Sequence, residues 1–264
     1  MADGFTHVDH DELSFRCRVD GPGGSAPWVV FSNSLVTDLT VWDAQVEALK
    51  ARFNILRYDQ RGHGGTTVPK EPCNFDELGS DAVALIDHFG ISKCIFVGLS
   101  MGVPTALYVY RNRPELIERL VLCDGQAATA ATGSGMWQQR IDEARAGGMA
   151  AVADEVAGRW FSEAFRAKGG DEKAKAVIAS MELEGYVACA RALQRYDFSD
   201  VIGTIKIPVL FMAGANDGNM PVSMQSLADT IPGAEFRVIP DAGHIPNYEQ
   251  PETFNSHLLK FLQA

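Results

Sequence analysis

The chain has 264 residues, 46% of them hydrophobic, with 34 acidic against 23 basic side chains and a net charge of −11. That length and apolar content support a sizeable core, in one large α/β domain or two small ones, and exclude a disordered chain. The acidic balance excludes nucleic acid and anionic membrane as expected partners, since both would be repelled, and leaves a small-molecule substrate.

The opening "MADGFTHVDHDELSF" is acidic and has no basic segment followed by an apolar one. Neither a secretory signal nor a transit peptide is expected, and the cytoplasm is the expected setting. Within it, "HVDHDE" at 7–12 offers ligand-like side chains but reads as a hairpin turn, and no metal is expected there. Short runs rich in Val, Ile, Leu and Phe then recur at 28–31, 54–57, 94–97, 119–123, 208–212 and 235–239. Most are apolar throughout rather than alternating, the pattern of strands covered on both faces in a parallel sheet. Helical spacing lies between them. Phe75, Leu78, Ala82, Leu85, Ile86 and Phe89 recur at three- and four-residue steps, with Asp76 and Glu77 at the positive end of that helix. Strand then helix, repeated, predicts an α/β fold with a mostly parallel central sheet flanked by helices.

Residues 127–200 break the rhythm. Strand-like runs stop, while Met149, Val152 and Val156, then Tyr186, Cys189, Ala190 and Leu193, keep helical spacing around "AGG" (146–148) and "KGG" (168–170). This predicts a cap of three or four short helices between two core segments, 1–126 and 201–264. The last helix is expected to open at Pro251 and to turn Phe254, Leu258, Phe261 and Leu262 inward. No stretch approaches the roughly 20 apolar residues of a membrane-spanning helix. The five cysteines, odd in number and without a C-x-x-C pair, argue against a disulfide framework and a zinc site.

The chemistry concentrates at "GLSMG", 98–102, which fits G-x-S-x-G between the run "KCIFV" and the helical "VPTALYVY". In that context Ser100 is expected at a sharp strand-to-helix turn, its hydroxyl raised into a pocket and the flanking glycines allowing close backbone approach. A serine hydroxyl needs a base and a carboxylate that orients the base. His244, in "PDAGHIPNYEQP" between the last strand-like run and the last helix, is the best placed of the six histidines. Two carboxylates compete for the third role: Asp217 in "LFMAGANDGNMP" and Asp124 in "RLVLCDG". Asp217 is preferred, because its strand precedes that of His244 in sequence and its loop is rich in Gly and Asn, and Asp124 stays open. Backbone N–H groups for an oxyanion are expected from Met101 and from the loop "SNSLVTD" (32–38), first Ser34 and then Leu35.

With these pieces placed, the chain resembles the α/β-hydrolase superfamily and, within it, is similar to the 3-oxoadipate enol-lactonases. The resemblance runs from about residue 29 to 254 and rests on "SNSLVTDLTVWDAQ", "LRYDQRGHG", "GLSMG", "EGYVACARAL", "AGANDGNMP" and "AGHIPNYEQPETFN". It implies Ser100 as nucleophile, His244 as base and Asp217 as acid, no cofactor, a lactone or ester as substrate and a role in breakdown of aromatic compounds. If the substrate also carries a free carboxylate, a cationic or N–H clamp should line the cap, with Trp137, Arg140 and Arg191 expected to form it, and Leu35 is expected to bind the substrate as well. The chain departs from the family in Val103 and Pro104 after Gly102, and in Asn216 and "GNM" around Asp217. A carboxylesterase, a hydrolase of larger lactones, a cofactor-free perhydrolase and a non-catalytic receptor remain alternatives on the same frame, and a homo-oligomer is compatible with the sequence.

Overall fold

The computed structural model describes residues 4–263. Its chain begins with a hairpin, β1 (Thr6–His10) and β2 (Leu13–Asp20), followed by β3 (Trp28–Ser32), α1 (Asp43–Leu49), β4 (Asn54–Tyr58), α2 (Phe75–His88), β5 (Cys94–Leu99), α3 (Gly102–Asn112) and β6 (Ile117–Cys123). A wholly helical stretch then holds α4 (Gly133–Trp160), α5 (Glu163–Arg166), α6 (Glu172–Ser180), α7 (Leu183–Gln194) and α8 (Ser199–Ile202). The chain returns with β7 (Val209–Gly214), α9 (Met220–Ala228), β8 (Glu235–Ile239), α10 (Pro246–Glu249) and α11 (Pro251–Gln263).

The eight strands form one sheet in the order β1-β2-β4-β3-β5-β6-β7-β8. β1 with β2 and β2 with β4 are antiparallel, and the remaining pairs are parallel. Every residue of β4, β5 and β7 is buried. Helices cover both sides, which explains why these strands read as unbroken apolar runs. The hairpin at 7–12 was expected only as a turn. Its β2 alternates buried and half-buried residues, the pattern of a strand with one face toward solvent, and it extends the sheet beyond β4. α2 starts as its sequence dictates: Asn74 accepts from the N–H groups of Asp76 and Glu77, and Glu77 accepts from Asn74 in return.

The helical stretch departs from the expectation of three or four short helices. α4 alone runs for 28 residues and bends at Gly148, whose φ of 73° and ψ of 176° suit a residue without Cβ. Gly169, with φ of 71°, makes the second break, between α5 and α6. The carboxyl ends of β3, β5, β6, β7 and β8 all lead into loops on one side of the sheet, the edge at which open α/β sheets bind ligands.

Candidate active site

Ser100 follows β5 directly and has φ of 54°, a left-handed conformation unusual for a residue with a side chain. The two glycines around it are required by packing. A Cβ on Gly98 would lie 2.2 Å from the Gly102 carbonyl oxygen, and one on Gly102 would lie 2.3 Å from that of Ser32. The Ser100 N–H donates to the Cys123 carbonyl at 2.8 Å, which ties the turn to β6. Val103, the departure noted after Gly102, packs against Gly125, where a Cβ would come within 2.5 Å of its Cγ2.

His244 lies in the loop between β8 and α10. Its Nε2 accepts from Ser100 Oγ at 2.8 Å, and its Nδ1 donates to Asp217 Oδ2 at 2.7 Å. The loops that carry Asp217 and His244 are stitched together by the Asn216 N–H bond to the Ala242 carbonyl at 2.8 Å, and a Cβ on Gly214 would meet the Gly243 carbonyl at 1.9 Å. Asp124, the rival carboxylate, is buried beside them, but its Oδ1 accepts from the Gly214 N–H at 2.8 Å rather than from the imidazole.

The predicted oxyanion loop is clamped from below. Asn33 accepts from Trp42 Nε1 at 2.8 Å and donates to the Tyr58 carbonyl, while Gln60 donates to the Asn33 carbonyl. Val36 has φ of 59°, costly for a β-branched residue, and its N–H donates to His63 Nε2 at 3.0 Å. These bonds set Ser34 and Leu35 in the wall of the same cavity as Ser100.

A cavity of about 250 Å³ lies over Ser100 and is roofed by the helical stretch. Leu35, Trp137 and Arg140 line it. Arg191 does not: the face of α7 that reaches the cavity carries Tyr186 and Leu193, and the Arg191 guanidinium is spent on Gln138 and Gln194. The bend in α4 brings Glu155, Arg159 and Trp160 of its second half to the same cavity as Trp137 and Arg140 of its first. Arg159 is paired with Glu155, whereas Arg140 sits 4.8 Å from the Trp137 ring centroid and forms no ion pair among the described residues. Burial, then the neighbouring Arg159, pushes the Arg140 guanidinium below its ordinary value.

Two further residues were not singled out by the sequence. Trp160 accepts the His244 N–H on its carbonyl at 2.9 Å, and its ring lies 5.4 Å from the imidazole. Glu249 accepts from Gly243 at 2.8 Å and from Ser162 at 3.0 Å, which fastens the histidine loop to the helical stretch. No local pattern flags either, because the partners are as many as 87 residues apart.

A family model described as alpha/beta hydrolase fold matches residues 27–251. The chain is 34% identical over 232 residues to 3-oxoadipate enol-lactonase 2 of Acinetobacter baylyi, covering 87% of this chain and 86% of that one. It is 35% identical over 240 residues to 3-oxoadipate enol-lactonase 1 of the same organism, covering 90% and 88%. Among solved structures, the enol-lactonase from Burkholderia xenovorans LB400 superimposes with a TM-score of 0.93 at 35% identity, covering 98% of this chain and all of that one. The sheet order, the strand-to-helix turn at Ser100 and these likenesses together make the chain a member of the α/β-hydrolase family.

Proposed function

We propose that the protein is a serine hydrolase that opens a small lactone bearing a free carboxylate, of the 3-oxoadipate enol-lactone kind. The observation that carries the chemistry is the hydrogen-bonded line from Ser100 Oγ through His244 to Asp217. In this reading His244 takes the Ser100 proton as Oγ attacks the lactone carbonyl, and the Asp217 carboxylate holds the imidazolium that forms. The oxyanion is met by the N–H groups of Met101 and of Ser34 or Leu35. Collapse opens the ring, the enol oxygen leaves with the proton from His244, and a water deprotonated by His244 releases the acid and restores Ser100.

The substrate class follows from Arg140. A half-buried guanidinium that forms no ion pair among the described residues is suited to a ligand that supplies a carboxylate. Residues 127–200 then act as a cap that both closes the cavity and presents this cation, and Trp137 gives the ring an apolar face. The five buried free thiols support a reducing setting such as the cytoplasm.

The test follows loss of enol-lactone absorbance by the purified protein beside a simple aryl acetate. Ser100→Ala should abolish both activities and labelling by a fluorophosphonate probe. Arg140→Leu should raise KM for the lactone roughly 10- to 100-fold, the worth of a hydrogen bond to a charged group, and leave the uncharged ester nearly untouched. An esterase that ignores the lactone would keep Ser100 and discard the substrate.

A further inference from the structure

Asp124 has no part in the line from Ser100 to Asp217, yet it is buried at the centre of the site. It follows β6 with φ of 43° and is 0% exposed. Its Oδ1 is taken by the Gly214 N–H, while its Oδ2 is buried and has no hydrogen-bond partner among the described residues. One side-chain ligand atom from each of Asp124, Asp217 and His244 lies within 4.8 Å of the others. No Lys or Arg hydrogen-bonds either carboxylate among the described residues. Two ionised carboxylates this close, one without solvent, repel each other, and the arrangement is relieved when one keeps a proton. Asp217 already accepts from His244 and is half-buried, so the proton belongs on Asp124. Burial and the Asp217 charge both push the Asp124 carboxyl well above the usual carboxylate range. The other titratable groups facing it are His244 and the Cys123 thiol, which burial also pushes up.

We propose that Asp124 is a positioning residue: a neutral carboxylic acid whose Oδ2 hydrogen is donated to Asp217, which steadies that carboxylate against His244, and a reserve acid that orients His244 when Asp217 loses its charge. The inference rests on the Ser100, His244 and Asp217 reading above. In the reserve role the Asp124 proton passes to His244 and from the imidazole to the cavity, since loss of the Asp217 charge removes the second cause, after burial, that holds it on the carboxyl.

The experiment measures kcat/KM against pH for the full chain and for Asp124→Asn, Asp217→Asn and the double variant. If Asp124 is neutral, Asp124→Asn replaces neutral by neutral, and the acid limb set by His244 stays within about 0.3 pH unit of its original place. An ionised Asp124 would instead have raised the imidazolium, and its removal would drop the limb by roughly 1 to 3 pH units, which overturns the proposal. Asp217→Asn should retain a residual rate that the double variant loses by at least about tenfold, since coupled groups are non-additive. Equal rates in the single and double variants would remove the reserve role. Both substitutions preserve shape, and the limb of Asp124→Asn decides the protonation state even if the double variant fails to fold. Failure of the parent reading shows elsewhere, as fluorophosphonate labelling that survives Ser100→Ala.

Discussion

His63 uses its two ring nitrogens in opposite senses: Nδ1 donates to the Arg61 carbonyl at 3.0 Å, and Nε2 accepts from Val36 at 3.0 Å. That second bond pins the strained residue next to Ser34 and Leu35, so the neutral imidazole supports the oxyanion loop. Burial pushes His63 down from 6.5 to about 4. Because the folded value lies below the unfolded one, the unfolded chain binds the proton first as the medium is acidified. Its contribution is therefore fully present above about pH 6.5 and is lost as pH falls toward 4, to a limit of roughly 3 kcal/mol. Urea unfolding at pH 7 and pH 5 should show a larger loss of midpoint for the native chain than for His63→Gln, which has no proton to gain. Equal losses would mean that the imidazole does not titrate in this window.

α4 shows how one element shapes the cavity. Gly148 occupies a backbone region open in practice only to glycine, and a Cβ there would meet nothing within 4 Å. Gly148→Ala should therefore cost about 1–3 kcal/mol through the backbone alone, and should separate Arg140 from Arg159 and Trp160, raising KM for an anionic lactone. Gly158, exposed in the same helix with open space at its Cβ, is the opposite case. Gly158→Ala should stabilise by about 0.5–1 kcal/mol, and thermal unfolding of the pair reads both signs. β3 to β7 were legible because burial on both faces leaves a nearly unbroken apolar run, whereas β1 and β2, half open to solvent, were not read as strands, and Ser100 was legible because Gly98 and Gly102 must admit backbone within 2.3 Å. The single bent α4 was not, since "AGG" reads equally as a loop. Arg191 misled because helical spacing places a side chain on a face without saying which neighbour that face meets. Asn33, Trp160 and Glu249 escaped because each acts on a partner distant in sequence.

Across the molecule, one continuous apolar cluster joins the sheet, its flanking helices and the helical roof. All five cysteines lie inside it as free thiols. Burial pushes Cys17 and Cys94 up to about 12 and Cys123 well above its ordinary range, while Cys189 is raised first by its hydrogen bond to Cys73 and then by burial. The reactive thiolate is therefore scarce and enclosed at these four positions, and alkylation requires the fold to open. Iodoacetamide at pH 8 should leave the native chain unlabelled and modify all five cysteines in denaturant, at a native-state rate set by global unfolding. Cys73 and Cys189 give the measurement its resolution. Their sulfurs lie 3.9 Å apart, where the segment entering α2 meets α7 of the roof, and Cys73 N–H donates to the Ala188 carbonyl. If the roof lifts from the sheet as a separate unit, these two react early while Cys17, Cys94 and Cys123 stay protected. If all five react together, roof and sheet unfold as one, and substrate must enter the cavity without the roof detaching.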